Sequence, residues 1–211
     1  ITHRPATSTG PSAHGPPRPA ADRPDDEDRA VLSPGRGVTL RAVRPADAAF
    51  LVDGFERLSE ESRFRRFHSP VRGLTSSQVE FLTRVDHRDH EAVVATVGDR
   101  GEETGVGVAR YIRSPTHPEE ADLAVTVSDE WQGRGIGGAL LRRLRERAVD
   151  EGVARFTADV LAVNSAMLRL LRALGPTTVD SAGSQLGVTV ELAPRPGSSG
   201  RPASGRWACP G

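Results

Sequence analysis

The spacing of hydrophobic residues changes several times along the chain and predicts a mixture of strands and helices. Short runs rich in β-branched residues predict strands, and apolar residues at helical spacing predict helices. The predicted strands are 38–43, 91–97, 105–112, 121–128, 155–161 and 187–192. The predicted helices begin near Pro45, Ser59, Thr75, Ile136 and Ser165. The polar turn 98–103 between two of the strands predicts an antiparallel hairpin.

Both ends of the chain have compositions typical of disorder. Residues 1–35 contain seven Pro and an acidic run at 25–28, and 11 of the 18 residues in 194–211 are Pro, Gly or Ser. Such segments bury too little apolar surface to offset the entropy of ordering. We therefore predict a single folded domain over 36–193, with tails at 1–35 and 194–211.

Composition excludes several classes of function. The 211 residues include 28 basic and 28 acidic side chains, and the net charge of zero gives no support for general binding to nucleic acid or membranes. No Lys occurs, which excludes a Walker A loop and Schiff-base chemistry. The chain has a single Cys, Cys209, no apolar run of membrane-spanning length and no apolar signal-peptide core, so we expect a cytoplasmic protein.

A glycine-rich turn between a predicted strand and the strongest predicted helix is the main candidate site. Four of the six residues in 133–138 are Gly, and they lead into a helix whose free N-terminal amides attract anions. Glycine lets a pyrophosphate approach the backbone closely, and Arg134 can add a charge-assisted contact.

Two known patterns overlap in this turn. Gly133-x-Gly135-x-x-Gly138 matches the dinucleotide fingerprint, with Asp159 about 20 residues further on. Gln132-x-x-Gly135-x-Gly137 resembles the acyl-CoA signature of the GNAT acetyltransferase superfamily. Because an antiparallel arrangement precedes the turn, the order of elements favours the GNAT interpretation over an NAD-dependent oxidoreductase.

The resemblance to GNAT enzymes extends beyond the turn. Asn164-Ser165-Ala166-Met167 leading to Leu174-Gly175 is similar to the second signature of the superfamily. Segments 57–67, 86–92 and 121–137 resemble bacterial protein lysine acetyltransferases, and the likeness covers about residues 38–192. It implies a single α/β (α+β) domain with a mixed, largely antiparallel sheet, splayed near the glycine turn and flanked by helices.

The resemblance also implies a function and a set of cofactor contacts. The expected reaction is direct transfer of an acetyl group from acetyl-CoA to a primary amine of a protein lysine or a small molecule, in a ternary complex. Backbone groups of Val125–Val127 would contact pantetheine, and the glycine turn would hold the pyrophosphate. The full set of implied cofactor-binding residues is Val125, Thr126, Val127, Gln132, Gly133, Arg134, Gly135, Ile136, Gly137, Gly138 and Asn164.

Two carboxylates are candidates for the general base. Relatives carry a Glu where this chain has Asp122, whose shorter side chain can require a bridging water, and Glu120 is the nearby alternative. Leu171 stands where many superfamily members have a Tyr proposed to protonate the leaving thiolate, so either solvent serves or the residue belongs to the core. If neither carboxylate acts as a base, the alternative is a non-catalytic acyl-CoA sensor that binds the cofactor without turnover.

Three other features have structural as well as functional interpretations. Asn164 can contact pantetheine or cap the following helix. His87 and His90 have a spacing that suggests a metal site, but no third ligand is evident, so we expect solvated side chains and no metal. Arg63, Arg65 and Arg66 either form a solvated helix face or line an acceptor channel.

Overall fold

A single mixed sheet of eight strands forms the centre of the protein. The structure is a computed structural model, and it describes residues 28–32, 36–67, 71–98 and 102–192. The strand order is β1-β2-β3-β4-β5-β6-β8-β7, and every neighbouring pair is antiparallel except β5 and β6. The predicted mixed, largely antiparallel sheet is confirmed. The dinucleotide alternative requires a parallel βαβ sheet, and the described strands do not form one.

The element boundaries lie close to the predicted ones. The strands are β1 Asp28–Leu32, β2 Arg36–Ala42, β3 His90–Val97, β4 Thr104–Arg113, β5 Glu120–Val127, β6 Arg155–Leu161, β7 Thr177–Ala182 and β8 Gln185–Glu191. The helices are α1 Ala48–Glu56, α2 Glu60–Phe67, α3 Ser76–Thr83, α4 Ile136–Asp150 and α5 Ser165–Leu174. None of the described helices is long and apolar enough to cross a membrane.

Local capping explains where two of the short helices begin. Thr75 accepts a hydrogen bond from the backbone of Gln78, whose side chain accepts from the backbone of Thr75, so α3 starts with the predicted capping box. The Ser59 hydroxyl accepts from the backbone N–H of Ser62 at the start of α2. These side chains satisfy amides that the helices leave without a partner.

Two strands lie where the sequence predicted none. Asp28–Leu32 forms β1 and pairs with β2, so the sheet starts before residue 36, inside the predicted N-terminal tail. Thr177–Ala182 forms β7, the edge strand beside β8. Residues 1–27 and 33–35 of the predicted N-terminal tail, and the whole predicted C-terminal tail 194–211, lie outside the described residues.

The two faces of the sheet carry different layers. The main core lies between the sheet and α4 and α5, and its largest fully buried side chains include Tyr111, Phe156, Ile136, Leu140, Leu141, Leu144 and Leu171. Helices α1 to α3 pack on the opposite face, where Val43, Ala92, Val94 and Val108 form a smaller core. Alternate residues of β5 therefore point into different environments, because side chains alternate along a strand.

A buried ion pair joins the end of β2 to the start of α1. Arg41 donates from its two terminal nitrogens to the two carboxylate oxygens of Asp47, both at 2.8 Å, and the side chains are only 6% and 4% exposed. Asp47 also accepts from the backbone N–H of Arg44 at 2.8 Å. This carboxylate thus fixes the direction in which the chain leaves the sheet and enters the helical layer.

Substituting Asp47→Ala tests this junction. Removing one partner of a buried pair leaves the other charge uncompensated, and Glu103 remains as a more distant partner of Arg41 at 3.3 Å. We expect the free energy of unfolding in urea to fall by about 3 kcal/mol. The control Glu80→Ala removes an exposed pair with Arg84 and should change it by less than about 0.5 kcal/mol. Equal effects of the two substitutions would contradict the account.

Candidate active site

The site is built around a separation of two neighbouring strands. The pairing of β5 with β6 covers only Glu120–Asp122 against Arg155–Thr157, whereas β5 stays paired with β4 as far as Val127. Beyond Asp122 the edge of β5 that faces β6 has no strand partner. Backbone groups of Val125–Val127 on this edge are therefore available to bind a ligand through hydrogen bonds, although the Val127 carbonyl already accepts one from the Gln132 side chain.

A cleft opens at this separation and continues to the start of α4. It has a volume of about 390 Å³. Its walls include β5, the glycine turn, α5 and the end of α2, and the lining contains Val125, Thr126, Val127, Gln132, Gly133, Gly135, Ile136, Gly137, Gly138 and Asn164. The structure therefore brings together ten of the eleven residues predicted to bind the cofactor. Arg134 is the one that is not part of this lining.

The glycine turn has the backbone shape that requires glycine. Gly133 and Gly135 have φ values of 72° and 85°, in the left-handed region that other residues rarely adopt. Gly135 is the N-cap of α4 and carries no side chain that could satisfy the first amides of the helix. These amides and the positive end of the helix dipole face the cleft mouth, which favours an anion there.

The exposed side chain of Gln132 connects the turn to the end of β5. Its amide nitrogen donates to the backbone carbonyl of Val127 at 3.1 Å and to the Asp129 carboxylate at 2.8 Å. Asp129 also accepts from the backbone of Ser59 at 2.8 Å and the hydroxyl of Ser62 at 2.5 Å. The start of α2 is thereby tied to the strand end and the turn. A direct cofactor contact by the Gln132 side chain stays a prediction.

The side chains of Arg134 and Asn164 both interact with residues close to them in the sequence. The Arg134 guanidinium lies over the ring of Trp131, 4.8 Å from its centroid, outside the cleft lining. Asn164 accepts from the backbone N–H of Met167 at 3.1 Å and caps α5, so the capping interpretation is confirmed. Asn164 also lines the cleft, and its contact with pantetheine stays a prediction.

A second pocket adjoins the cleft at the end where β5 and β6 are still close. It measures about 260 Å³ and is lined by Asp122 of β5 and Asp159 of β6, with Arg66 and Asn164 shared with the cleft. Asp122 and Asp159 both face the side of the sheet that carries α1 to α3. We call it the acidic pocket after these two aspartates, although Arg65 and Arg66 line its α2 wall, and it opens directly onto the unpaired edge of β5.

The pKa of Asp122 lies above its ordinary value. Removal of water by the surrounding protein is the main cause, and the charge of Asp159 raises it further, while Arg66 opposes both. The carboxylate nonetheless remains open to solvent through the pocket. A raised pKa makes Asp122 a stronger proton acceptor than an ordinary aspartate.

The other candidate base is engaged elsewhere. The Glu120 carboxylate accepts two hydrogen bonds from the guanidinium of Arg155, at 2.8 and 3.1 Å. Arg155 also binds Glu119 at 3.1 Å, and Glu120 does not line the acidic pocket. Of the two sequence candidates, only Asp122 thus lines the acidic pocket.

The three arginines of α2 have different roles. Arg63 lies over the Phe55 ring at 4.7 Å and donates to the backbone carbonyl of Glu56 at 2.8 Å. Arg65 and Arg66 instead line both the cleft and the acidic pocket. The interpretation of a wholly solvated helix face is therefore wrong for the last two residues, which lie at the site.

The expectation that His87 and His90 are solvated is also wrong. His90 is only 8% exposed, and its Nε2 lies 3.0 Å from Nη1 of Arg110. Burial and the positive charge of Arg110 lower the pKa of His90 to about 4, so its neutral ring accepts this hydrogen bond at pH 7. His87 has a φ of 58°, and its Nδ1 lies 2.8 Å from Glu91. In the described part of the chain no group of His, Cys, Asp or Glu could hold a metal.

The structure settles the place of Leu171 and adds Arg110, a residue that the sequence analysis did not single out. Leu171 is fully buried in the main core, in agreement with its structural interpretation. Arg110 of β4 and Thr126 of β5 line a third, mainly apolar pocket beneath α1 to α3, and Arg66 lines it too. The sequence offered one signal for such a side chain, which is the alternation of residues along a strand that decides the face of the sheet on which each side chain lies.

Comparisons with known proteins agree with this geometry. The acetyltransferase (GNAT) domain family matches residues 38–177. Acetyltransferase Pat of Mycolicibacterium smegmatis is 39% identical over 145 residues, which cover 69% of this chain and 43% of that protein. An acetyltransferase of Pseudomonas aeruginosa is 31% identical over 144 residues, which cover 68% of this chain and 77% of that protein. This chain thus spans less than half the length of the first of these relatives.

A solved structure shows the same architecture. The GNAT domain of S. lividans PAT superposes with a TM-score of 0.72 at 29% sequence identity, over 79% of this chain and 97% of that chain. Acetyl-CoA is the co-substrate of the matched family. The predicted resemblance is confirmed, and the chain belongs to the GNAT acetyltransferase family.

Proposed function

We propose that this acetyltransferase moves the acetyl group of acetyl-CoA directly to the amine of a protein lysine, with Asp122 as the general base. The observation that carries the proposal is the junction between the cleft and the acidic pocket at the separation of β5 and β6. A thioester in the cleft and an amine in the acidic pocket would meet there, beside Val125. The alignment of two reactants in this way removes the need for a covalent enzyme intermediate.

The donor half of the site suits an acyl-CoA. The unpaired edge of Val125–Val127 can bond the amides of pantetheine as an additional strand would. The amides at the start of α4 can hold the pyrophosphate, since Gly133 and Gly135 present the backbone without a side chain. Arg65 lines the same cleft and supplies a positive charge for the phosphates.

The acceptor half of the site suits a cationic amine. A lysine with a pKa near 10.4 must lose a proton before it can attack, which costs about 4 kcal/mol at neutral pH. Asp122 can take this proton, directly or through water, and Asp159 adds negative charge that attracts the incoming ammonium. The amine nitrogen then bonds to the thioester carbon, the carbon–sulfur bond breaks, and CoA leaves as the thiolate. The nitrogen releases its second proton, which the thiolate takes up through solvent.

The surroundings of the acidic pocket favour a large acceptor. Asp122, Asp159, Asp180 and Glu191 are all exposed, and they lie on the same side of strands β5, β6, β7 and β8. A lysine side chain carried on a protein segment can therefore approach over this polar surface. A non-catalytic acyl-CoA sensor would not need a carboxylate of raised pKa at the end of the cleft, whereas an acetyltransferase would use it as a base.

Substitution Asp122→Asn tests the base. The variant keeps the size of the side chain but cannot accept the proton, so we expect kcat to fall by about 100-fold with little change in the KM for acetyl-CoA. The matched control Glu120→Gln should keep kcat within a few-fold. Thiol release from acetyl-CoA with a lysine-containing acceptor measures both. Full activity in Asp122→Asn would remove Asp122 from the mechanism.

The pH profile gives a second test of the same residue. The acceptor must be neutral and Asp122 must be ionised, so log(kcat/KM) should rise with pH with a slope of one above the pKa of Asp122. Below the pKa of Asp122 both groups must lose a proton, so the slope should steepen towards two. Because this pKa lies above its ordinary value of 3.8, the steepening should begin at a higher pH than for an ordinary aspartate. Asp122→Asn should keep a slope of one throughout. Steepening that persists in the variant would assign it to another group.

Position 138 allows a test of the pyrophosphate site with a matched pair of variants. A Cβ at Gly138 meets its nearest neighbours at 3.5 and 3.7 Å, which is ordinary contact. Gly138→Asp places a negative charge in the first turn of α4, where it stabilises the helix but repels a phosphate. We expect acetyl-CoA to bind at least about tenfold more weakly than to Gly138→Asn, by calorimetry. Equal affinities would place the phosphates elsewhere.

The acceptor class is tested with radiolabelled acetyl-CoA and a cell lysate. A protein lysine acetyltransferase should label gel-resolved proteins, and the label should be lost with Asp122→Asn. Thiol release that depends on the lysate but leaves every protein unlabelled would assign the activity to a small-molecule amine instead.

A further inference from the structure

The third pocket, beneath α1 to α3, has an unusual combination of walls and charge. Most of its lining is apolar, with Phe50, Leu51, Phe55, Leu58, Leu74 and Leu82 among the residues, yet two arginines, Arg66 and Arg110, also line it. Its volume of about 90 Å³ has room for a chain of only a few heavy atoms. Such a site suits a ligand with a short apolar stem and a negatively charged end.

The Arg110 guanidinium is buried without an acidic partner. The residue is 5% exposed, and its hydrogen bonds in the described part of the chain go from Nη1 to the carbonyl of Leu82 at 3.2 Å and to the neutral His90 ring at 3.0 Å. No carboxylate among the described residues lies within ion-pair distance. Burial and the neighbouring Arg66 lower the pKa of Arg110 to about 10, so it stays charged at neutral pH.

Arg66 adds a second cation to the lining of this pocket. Its guanidinium lies 5.0 Å from the centroid of the Phe67 ring and makes no hydrogen bond to the described residues. Arg66 and Arg110 repel each other, which is costly inside a protein unless an anion lies between or beside them. The charge of Asp122 acts on Arg66 from the acidic pocket, but the lining of the third pocket contains no carboxylate that could balance Arg110.

The pocket adjoins the acyl-CoA cleft. Thr126 of β5 and Arg66 line both spaces, and Arg66 also borders the acidic pocket of Asp122. A thioester held along Val125–Val127 therefore has two charged compartments beside it. The acidic one suits the amine, and the one with Arg66 and Arg110 suits an extension of the acyl group.

We propose that the enzyme also accepts acyl-CoA donors whose short acyl chain ends in a carboxylate, such as succinyl-CoA, with the methylenes among the apolar side chains and the carboxylate at Arg110 and Arg66. This inference rests on the proposed function. The neutral amine attacks the thioester carbon, the carbon–nitrogen bond forms, the carbon–sulfur bond breaks and CoA leaves as the thiolate, which takes up the proton that the nitrogen releases. The product is an N-succinyl amide whose distal carboxylate is unchanged.

Succinyl-CoA and butyryl-CoA form a matched pair of probes, because both acyl groups have four carbons and only one is charged. Calorimetric titration of the full chain with each should show succinyl-CoA binding at least tenfold more tightly than butyryl-CoA. In Arg110→Gln this preference should fall to about onefold. In the control Arg57→Gln, which removes an exposed arginine near the same helix layer, the preference should persist.

The outcomes separate this inference from the proposed function. Tight binding of acetyl-CoA with no preference for succinyl-CoA over butyryl-CoA in the wild-type chain would overturn the inference alone. Absence of binding by any of the three thioesters would overturn both. The wild-type comparison needs no variant, so it holds even if Arg110→Gln does not fold.

The carboxylate that binds the two arginines could also belong to an acidic acceptor instead of the acyl donor. Titration of free succinate into the chain saturated with acetyl-CoA distinguishes these two sources. Binding of free succinate would assign the two arginines to an acidic acceptor and overturn the assignment to the acyl donor. Lack of such binding, together with the preference for succinyl-CoA, supports the inference.

Discussion

The loss of hydrogen bonding between β5 and β6 beyond Asp122 is the constraint on which the rest of the site depends. A continuous sheet would satisfy the backbone of Val125–Val127 and would close the cleft. The separation instead leaves polar backbone at the centre of the protein, where it needs a partner. It also places three different environments next to one another: the helix start that attracts phosphate, the acidic pocket at Asp122 and the apolar pocket at Arg110.

Local sequence was sufficient to predict the elements whose signals are local. The capping box at Thr75, the glycine turn and the boundaries of β6 and α5 all follow from neighbouring residues, and the structure agrees. The edge strands β1 and β7 were missed for a physical reason. Thr177–Ala182 is mostly polar, and Asp28–Leu32 follows a Pro-rich segment, so their strand structure depends on pairing with β8 and β2, which lie elsewhere in the sequence.

The same distinction holds in the candidate site. The glycine turn could be predicted because one segment forms all of it. Asp159 was considered only as part of a dinucleotide pattern, and its position beside Asp122 depends on the single parallel strand pair of the sheet. The buried Arg110 and His90 were not recognised as partners because they lie on neighbouring strands, 20 residues apart in the sequence. The exclusive use of arginine keeps such buried cations charged, since a guanidinium does not deprotonate at physiological pH.

Hydrogen exchange with and without saturating acetyl-CoA is the most direct measurement of the central claim, which is that the unpaired edge of β5 binds the donor. Peptide-resolved mass spectrometry should show slower exchange of amides in 125–127 and 133–138 when acetyl-CoA is bound. The paired strands β2 and β3 should exchange at an unchanged rate. Saturation by acetyl-CoA with protection confined to other segments, and none in 125–127, would contradict the account.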